Sequence, residues 1–149
     1  MALVAGKDYA LAKKVTWVFQ ELGPADAVAV ATEKALYVIP TRGIEESFNI
    51  GGVHPLQAIE SMLGNPASDH ATMNQLLEKW ATELKGIVKP MSDVKRIKIK
   101  TSFFTRMVGY SEKDTGFDSG FGTAVVLRPR KDEMAGFISL HQNDRRVMV

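Results

Sequence analysis

Two amphipathic stretches, each closed by helix breakers, lie between two β-rich regions. This order does most to restrict the fold. Pro55 opens the first stretch at a position where its fixed φ suits the start of a helix. Leu56, Ile59 and Leu63 then fall on one stripe, and Gly64-Asn65-Pro66 ends it. The second stretch runs from about Asp69 to Lys85. Met73, Leu76, Leu77, Trp80, Leu84 and Ile87 form its apolar stripe, so Trp80 reads as core, and Gly86 stands near its end.

Ala27 to Ile39 predicts a β-hairpin. Val28 and Val30 alternate with alanines, Thr32-Glu33-Lys34 turns the chain, Leu36 to Ile39 returns it, and Pro40 ends the strand. The alanine face is small enough for a helix to pack close. Thr41 to Val53 reads as irregular, with a short strand over Ser47 to Ile50. Ahead of the hairpin, Lys7 to Leu22 predicts another helix. Leu11, Val15, Val18, Phe19 and Leu22 align, Asp8 is a suitable N-cap, and Gly23-Pro24 is a stop. Trp17 lies off that stripe, beside Lys13, Gln20 and Glu21. Trp is enriched at the energetic centres of interfaces, so Trp17 is a candidate apolar anchor for a partner.

After Pro90 the chain reads Lys95-Arg-Ile-Lys-Ile-Lys-Thr-Ser-Phe-Phe-Thr-Arg106. In an extended chain alternate side chains share a face. That puts Arg96, Lys98, Lys100, Phe104 and Arg106 on one side, and Ile97, Ile99, Phe103 and Met107 on the other. The strand is predicted over about Val94 to Tyr110, bending near Ser102. With Thr123 to Arg128 it is expected to form a second hairpin around a polar, glycine-rich loop over 111–122. The phenylalanines of that loop, Phe117 and Phe121, are candidates to enter a partner groove. Lys131 to Leu140 is ambiguous: Met134, Phe137 and Ile138 suit a helix, the preferred reading, while Gly136 to Leu140 also fits a strand, and the tail from Asn143 is read as mobile. The expected class is α+β in a single domain over 1–149: an antiparallel sheet of 4–5 strands, in two hairpins, with 3–4 helices mainly on one face.

The 149 residues are 45% hydrophobic, enough to bury a core without disulfides or metal. Cysteine is absent, which excludes disulfide frameworks, thiolate zinc sites and cysteine nucleophiles, and a cytoplasmic protein is expected. No segment reads as a signal-peptide core or a membrane span. The net charge of +2 conceals an asymmetry. Residues 1–75 carry 5 Lys/Arg against 8 Asp/Glu, a net −3, and residues 76–149 carry 14 against 9, a net +5. Residues 85–131 carry 11 against 4, a net +7.

Signatures of a reaction centre are weak. His54, His70 and His141 lack a histidine at helical ligand spacing, and Asp69-His70 reads as a cap followed by a first-turn residue. No serine has the spacing of a nucleophile elbow. Asp114 and Asp118 stand among glycines as in a calcium loop, but the twelfth position counted from Asp114 is Val125, where such a loop needs glutamate. Gly116, Gly120 and Gly122 are not followed by the Lys-Ser/Thr of a phosphate loop. No metal or cofactor is therefore expected.

The hairpin segment 29–39, Ala-Val-Ala-Thr-Glu-Lys-Ala-Leu-Tyr-Val-Ile, and residues 92–100, Ser-Asp-Val-Lys-Arg-Ile-Lys-Ile-Lys, resemble strands of pleckstrin-homology/GRAM-like domains. The two helices between them depart from that pattern, and no binding residue is transferred on the resemblance. The residues themselves point to a non-enzymatic protein-binding domain (an adaptor, a regulatory subunit or an immunity-type inhibitor). It would use the basic β-hairpin, with Trp17 or Phe117 and Phe121 as apolar anchors. The rival reading gives the same strand to an anionic ligand, either nucleic acid or an anionic lipid headgroup. A small enzyme with a dispersed histidine and carboxylate site is the third reading, and association with further copies of the chain is compatible with the first.

Overall fold

The computed structural model describes residues 3–19, 21–99, 123–127, 133, 136, 139, 140, 147 and 148. A four-stranded antiparallel sheet is built from β1 (Ala10–Phe19), β2 (Gly23–Ala31), β3 (Ala35–Arg42) and β4 (Ile87–Pro90), in that spatial order. Helices α1 (Pro55–Gly64) and α2 (His70–Glu83) connect β3 to β4. A 3-10 turn, Met91–Asp93, leads to β5 (Val94–Ile99), which lies between β6 (Thr123–Leu127) and β7 (Val147–Met148) in a second sheet. The chain thus mixes an antiparallel four-stranded sheet with two helices, an α+β arrangement. No helix among the described residues is long and apolar enough to cross a membrane.

The expected hairpin is present. Thr32 Oγ1 accepts from the Lys34 and Ala35 N–H groups and closes the turn, and Val28 pairs with Ile39. Both helices start where the sequence placed them. His54 Nδ1 accepts the Leu56 N–H, and Asp69 Oδ1 accepts the Thr72 N–H, each meeting a donor that the first helical turn leaves unpaired. This contact with Thr72 holds the Asp69 carboxyl below its ordinary range.

One face of the first sheet carries the helices. Val28, Val30, Tyr37 and Ile39 pack with Ile59 and Leu63 of α1 and with Met73, Leu77 and Ala81 of α2. The opposite face, built from alternate alanines of β2 with Trp17, Phe19, Leu36 and Val38, is also buried. The helices therefore do not use the alanine face. Small residues on β2 there stand beside large ones on β1 and β3. Ile87 belongs to this face and not to the stripe of α2, because the helix has ended and β4 has begun.

Four expectations are corrected. Residues 10–19 form a strand, not a helix. A bulge between Ala12 and Val15 shifts the alternation by one residue, which puts Ala10, Ala12, Val15, Trp17 and Phe19 on one buried face. Pro40 lies inside β3, not at its end. Its lack of an N–H is tolerated because β4 pairs with β3 only from Ala35 to Val38. β5 and β6 do not form a hairpin but pair in parallel, Ile97 opposite Val125. Parallel pairing needs a connection of roughly a dozen residues or more, and the segment 100–122 is long enough. In the tail, Val147 and Met148 pair with β5. Within the stretch read as a terminal helix, the described residues Glu133, Gly136, Ser139 and Leu140 are helical.

Candidate functional site

Of the candidate binding residues from the sequence, Trp17, Arg96 and Lys98 are among the described residues. Trp17 is 3% exposed and lies in the core, so it cannot anchor a partner. Its Nε1 is buried with no acceptor among the described residues. Arg96 and Lys98 lie on β5, the central strand of the second sheet. Lys100, Phe104, Arg106, Phe117, Phe121, His141 and the Asp114–Gly122 loop fall outside the described residues. His54 caps α1, and His70 pairs with a carboxylate that is not its neighbour Asp69. Its Nε2 stands 2.8 Å from Asp8 Oδ1. Among the described residues no three His, Asp or Glu side chains gather to hold a metal.

A site that the sequence did not suggest lies where the chain enters β1. A cleft of about 500 Å³ opens between the loop before β1, the C-terminal end of α1 and the helical residues Glu133 and Gly136. Three local features build it. Asp8 Oδ2 accepts the Val4 N–H at 2.7 Å while Oδ1 faces His70, which ties the loop to the start of α2. The Val4 N–H, and after it His70, hold the Asp8 carboxyl below its ordinary range, against partial burial. Gly6, in the left-handed region at φ +84°, comes so close to Gly136 and Ser139 that a Cβ there would stand 3.7 Å from Gly136 Cα. Finally, the bulge in β1 removes Lys13 from the ladder, and Glu133 Oε2 accepts its N–H at 2.7 Å.

Leu11 and Leu63 give the cleft apolar walls, and Tyr9, Lys13, Glu60 and Glu133 supply its polar groups. Tyr9 is half-buried. Burial, then the charges of Asp8 and Glu60, push its phenol above the ordinary range. Glu60 also borders an adjoining depression over α1 that is lined by His54 and Ser61. No motif marks this site in the sequence, since its residues come from three separate segments.

A second polar group, largely buried, fastens α2 to the hairpin. Asn74 Oδ1 accepts from the hydroxyls of Thr32 at 2.9 Å and Tyr37 at 2.8 Å, and Asn74 Nδ2 donates to the His70 carbonyl at 2.8 Å. The last contact fixes which way round the amide sits. The Thr32 hydroxyl has one proton and two acceptors in reach, and the Ala35 carbonyl at 3.3 Å is the more distant. Burial, and after it the charge of Glu78, pushes the Tyr37 phenol up to about 12. A phenol that ionises later in the folded state than in the unfolded chain, near 10, contributes stability that is complete below pH 10. That contribution is lost as pH rises from 10 through about 12. The expected result is a steep loss of stability over this window, and a shallower one in Tyr37→Phe. Urea unfolding at a series of alkaline pH values measures both slopes, and equal slopes would contradict the assignment.

No protein-family model, curated protein or solved structure matches this chain.

Proposed function

We propose that the chain is a cytoplasmic, non-enzymatic protein-binding domain, of the adaptor, regulatory-subunit or inhibitor kind, that meets an acidic partner surface through the basic strand β5. The observation that carries this reading is the register of the second sheet. Arg96 stands opposite Ala124, and Lys98 stands opposite Val126 on one side and Met148 on the other. Cross-strand acids are the usual means by which a sheet uses its own cations. Here the registered positions hold apolar residues, so no acid stands directly opposite either cation. The net +7 over residues 85–131 adds a field of the same sign, which speeds encounter with an anionic surface and selects against cationic ones.

Arg96→Glu/Lys98→Glu tests the reading. The variant and the wild type are used to capture partners from native extract at low and moderate salt, with and without nuclease. Thermal unfolding of both proteins verifies that the variant is folded. The expected result is a protein partner that survives nuclease and is lost with the variant. Recovery of nucleic acid, or of protein only through it, would move the strand to the anionic-ligand class. Equal capture by both proteins would reduce β5 to a solvated strand and remove the basis of the reading.

A further inference from the structure

The cleft beside β1 carries an inference independent of any protein partner. We propose that it is a binding site for a small organic amine, a ligand with one cationic nitrogen and a short apolar body. About 500 Å³ is the size of pocket that encloses such a molecule. Two of its bordering residues are glycines from different segments, Gly64 at the end of α1 and Gly136. A Cβ built on either meets no heavy atom within 4 Å. Neither glycine adds a side chain to the lining of the cleft. Leu11 and Leu63 offer the apolar body a surface away from water.

The electrostatics select the head group. Glu60 and Glu133 border the cleft, and Asp8 stands directly behind Tyr9 in the chain. Burial first, and after it the charges of Asp8 and Glu60, push the Tyr9 phenol above its ordinary range. A cationic nitrogen entering there would gain the Glu60 carboxylate, and the half-buried Tyr9 lines the same cleft. Lys13, exposed at the rim, is the cation among the described lining residues. An anionic ligand that reached it would also meet the Glu60 carboxylate and come near that of Glu133, which is engaged by the Lys13 N–H, so the described lining carries more negative than positive formal charge.

The test uses three probes of nearly equal size: phenethylamine, 2-phenylethanol and 3-phenylpropionate. Each is titrated at millimolar concentration into the full chain and followed by chemical shifts of the backbone amides around Tyr9 and Leu63. The expected order is amine first, then alcohol, then acid. Glu60→Gln, on an exposed position, is expected to weaken the amine by about fivefold and leave the alcohol unchanged, as for loss of one partly solvated charge contact. Gly64→Leu is expected to abolish binding of all three by filling the space, with an unchanged or raised unfolding midpoint because leucine favours the helix more than glycine. Amine binding that is equal to that of the alcohol, weaker than that of the acid, absent, or indifferent to Glu60→Gln would overturn the proposal.

Discussion

Trp17→Ala is expected to cost about 3–5 kcal/mol of folding stability, the range for deleting a large aromatic from a packed interior. The side chain is 3% exposed and shares its cluster with Phe19, Leu36 and Val38 and with the alternate alanines of β2. Ala25, directly opposite in register, is too small to move into the space left behind. Trp17→Phe makes the contrast sharper. It removes apolar area, but it also removes the Nε1–H that is buried without an acceptor among the described residues. A buried donor with no partner costs about 1–3 kcal/mol. Phenylalanine should therefore cost much less than the lost volume alone would require. Urea unfolding of the three proteins measures both differences. A loss under about 1 kcal/mol for alanine would mean that the site collapses or that the residue is not packed as described.

The second large effect is expected at Gly86. A Cβ there would run into the carbonyl oxygen of Val38, with Pro40 Cδ and the Ala81 carbonyl oxygen close on other sides. The Val38 carbonyl belongs to a central strand of the first sheet and cannot rotate out of the way. The N–H of Gly86 donates to the Ala81 carbonyl at 2.7 Å, so the glycine itself is held in place at the end of α2. Gly86→Ala should cost about 3 kcal/mol, at the upper end of the usual penalty for inserting a methyl group into filled space. It should act chiefly by separating the end of α2 from β3. The left-handed residue of this turn is Lys85, at φ 59°, not the glycine beside it. Lys85→Gly is therefore the control: it should be neutral or stabilising, since glycine adopts that conformation freely. If Gly86→Ala were as stable as wild type, the close approach would be wrong.

These two residues also show what the sequence could and could not reveal. A glycine after a helix reads as a terminator, and nothing in the letters distinguishes a residue needed for its backbone angles from one needed for its small size. Trp17 failed for a different reason. The bulge between Ala12 and Val15 adds one residue to the period-two alternation, and the displaced pattern fits a helical stripe from Leu11 to Leu22. On that stripe Trp17 pointed the wrong way, and this misfit was the available sign that the period was not helical. The helices and the first hairpin were legible because their signals are local: Pro55, Asp69 and the Thr32 turn each satisfy or remove a donor within a few residues. The direction of β6 was not legible, since alternation is the same whichever way a strand runs. The cleft was hidden for a further reason. Tyr9, Glu60 and Glu133 become neighbours only through tertiary contacts that involve His70, Gly6 and the bulge.

The two sheets also differ in when they can close. Every strand of the first comes from residues 10–90, with both of its helices drawn from the same span. The second pairs Ile97 with Val147, so its completion awaits a part of the chain about 50 residues further on. A chain lengthening on the ribosome can therefore finish the first sheet while β5 still has both of its edges unpaired. Bare strands in that state recruit copies of themselves, and charged residues, lysine above all, are how natural sequences discourage it. The cations within Lys95-Arg-Ile-Lys-Ile are residues of the kind that discourages such self-association until β6 and β7 pair with the strand.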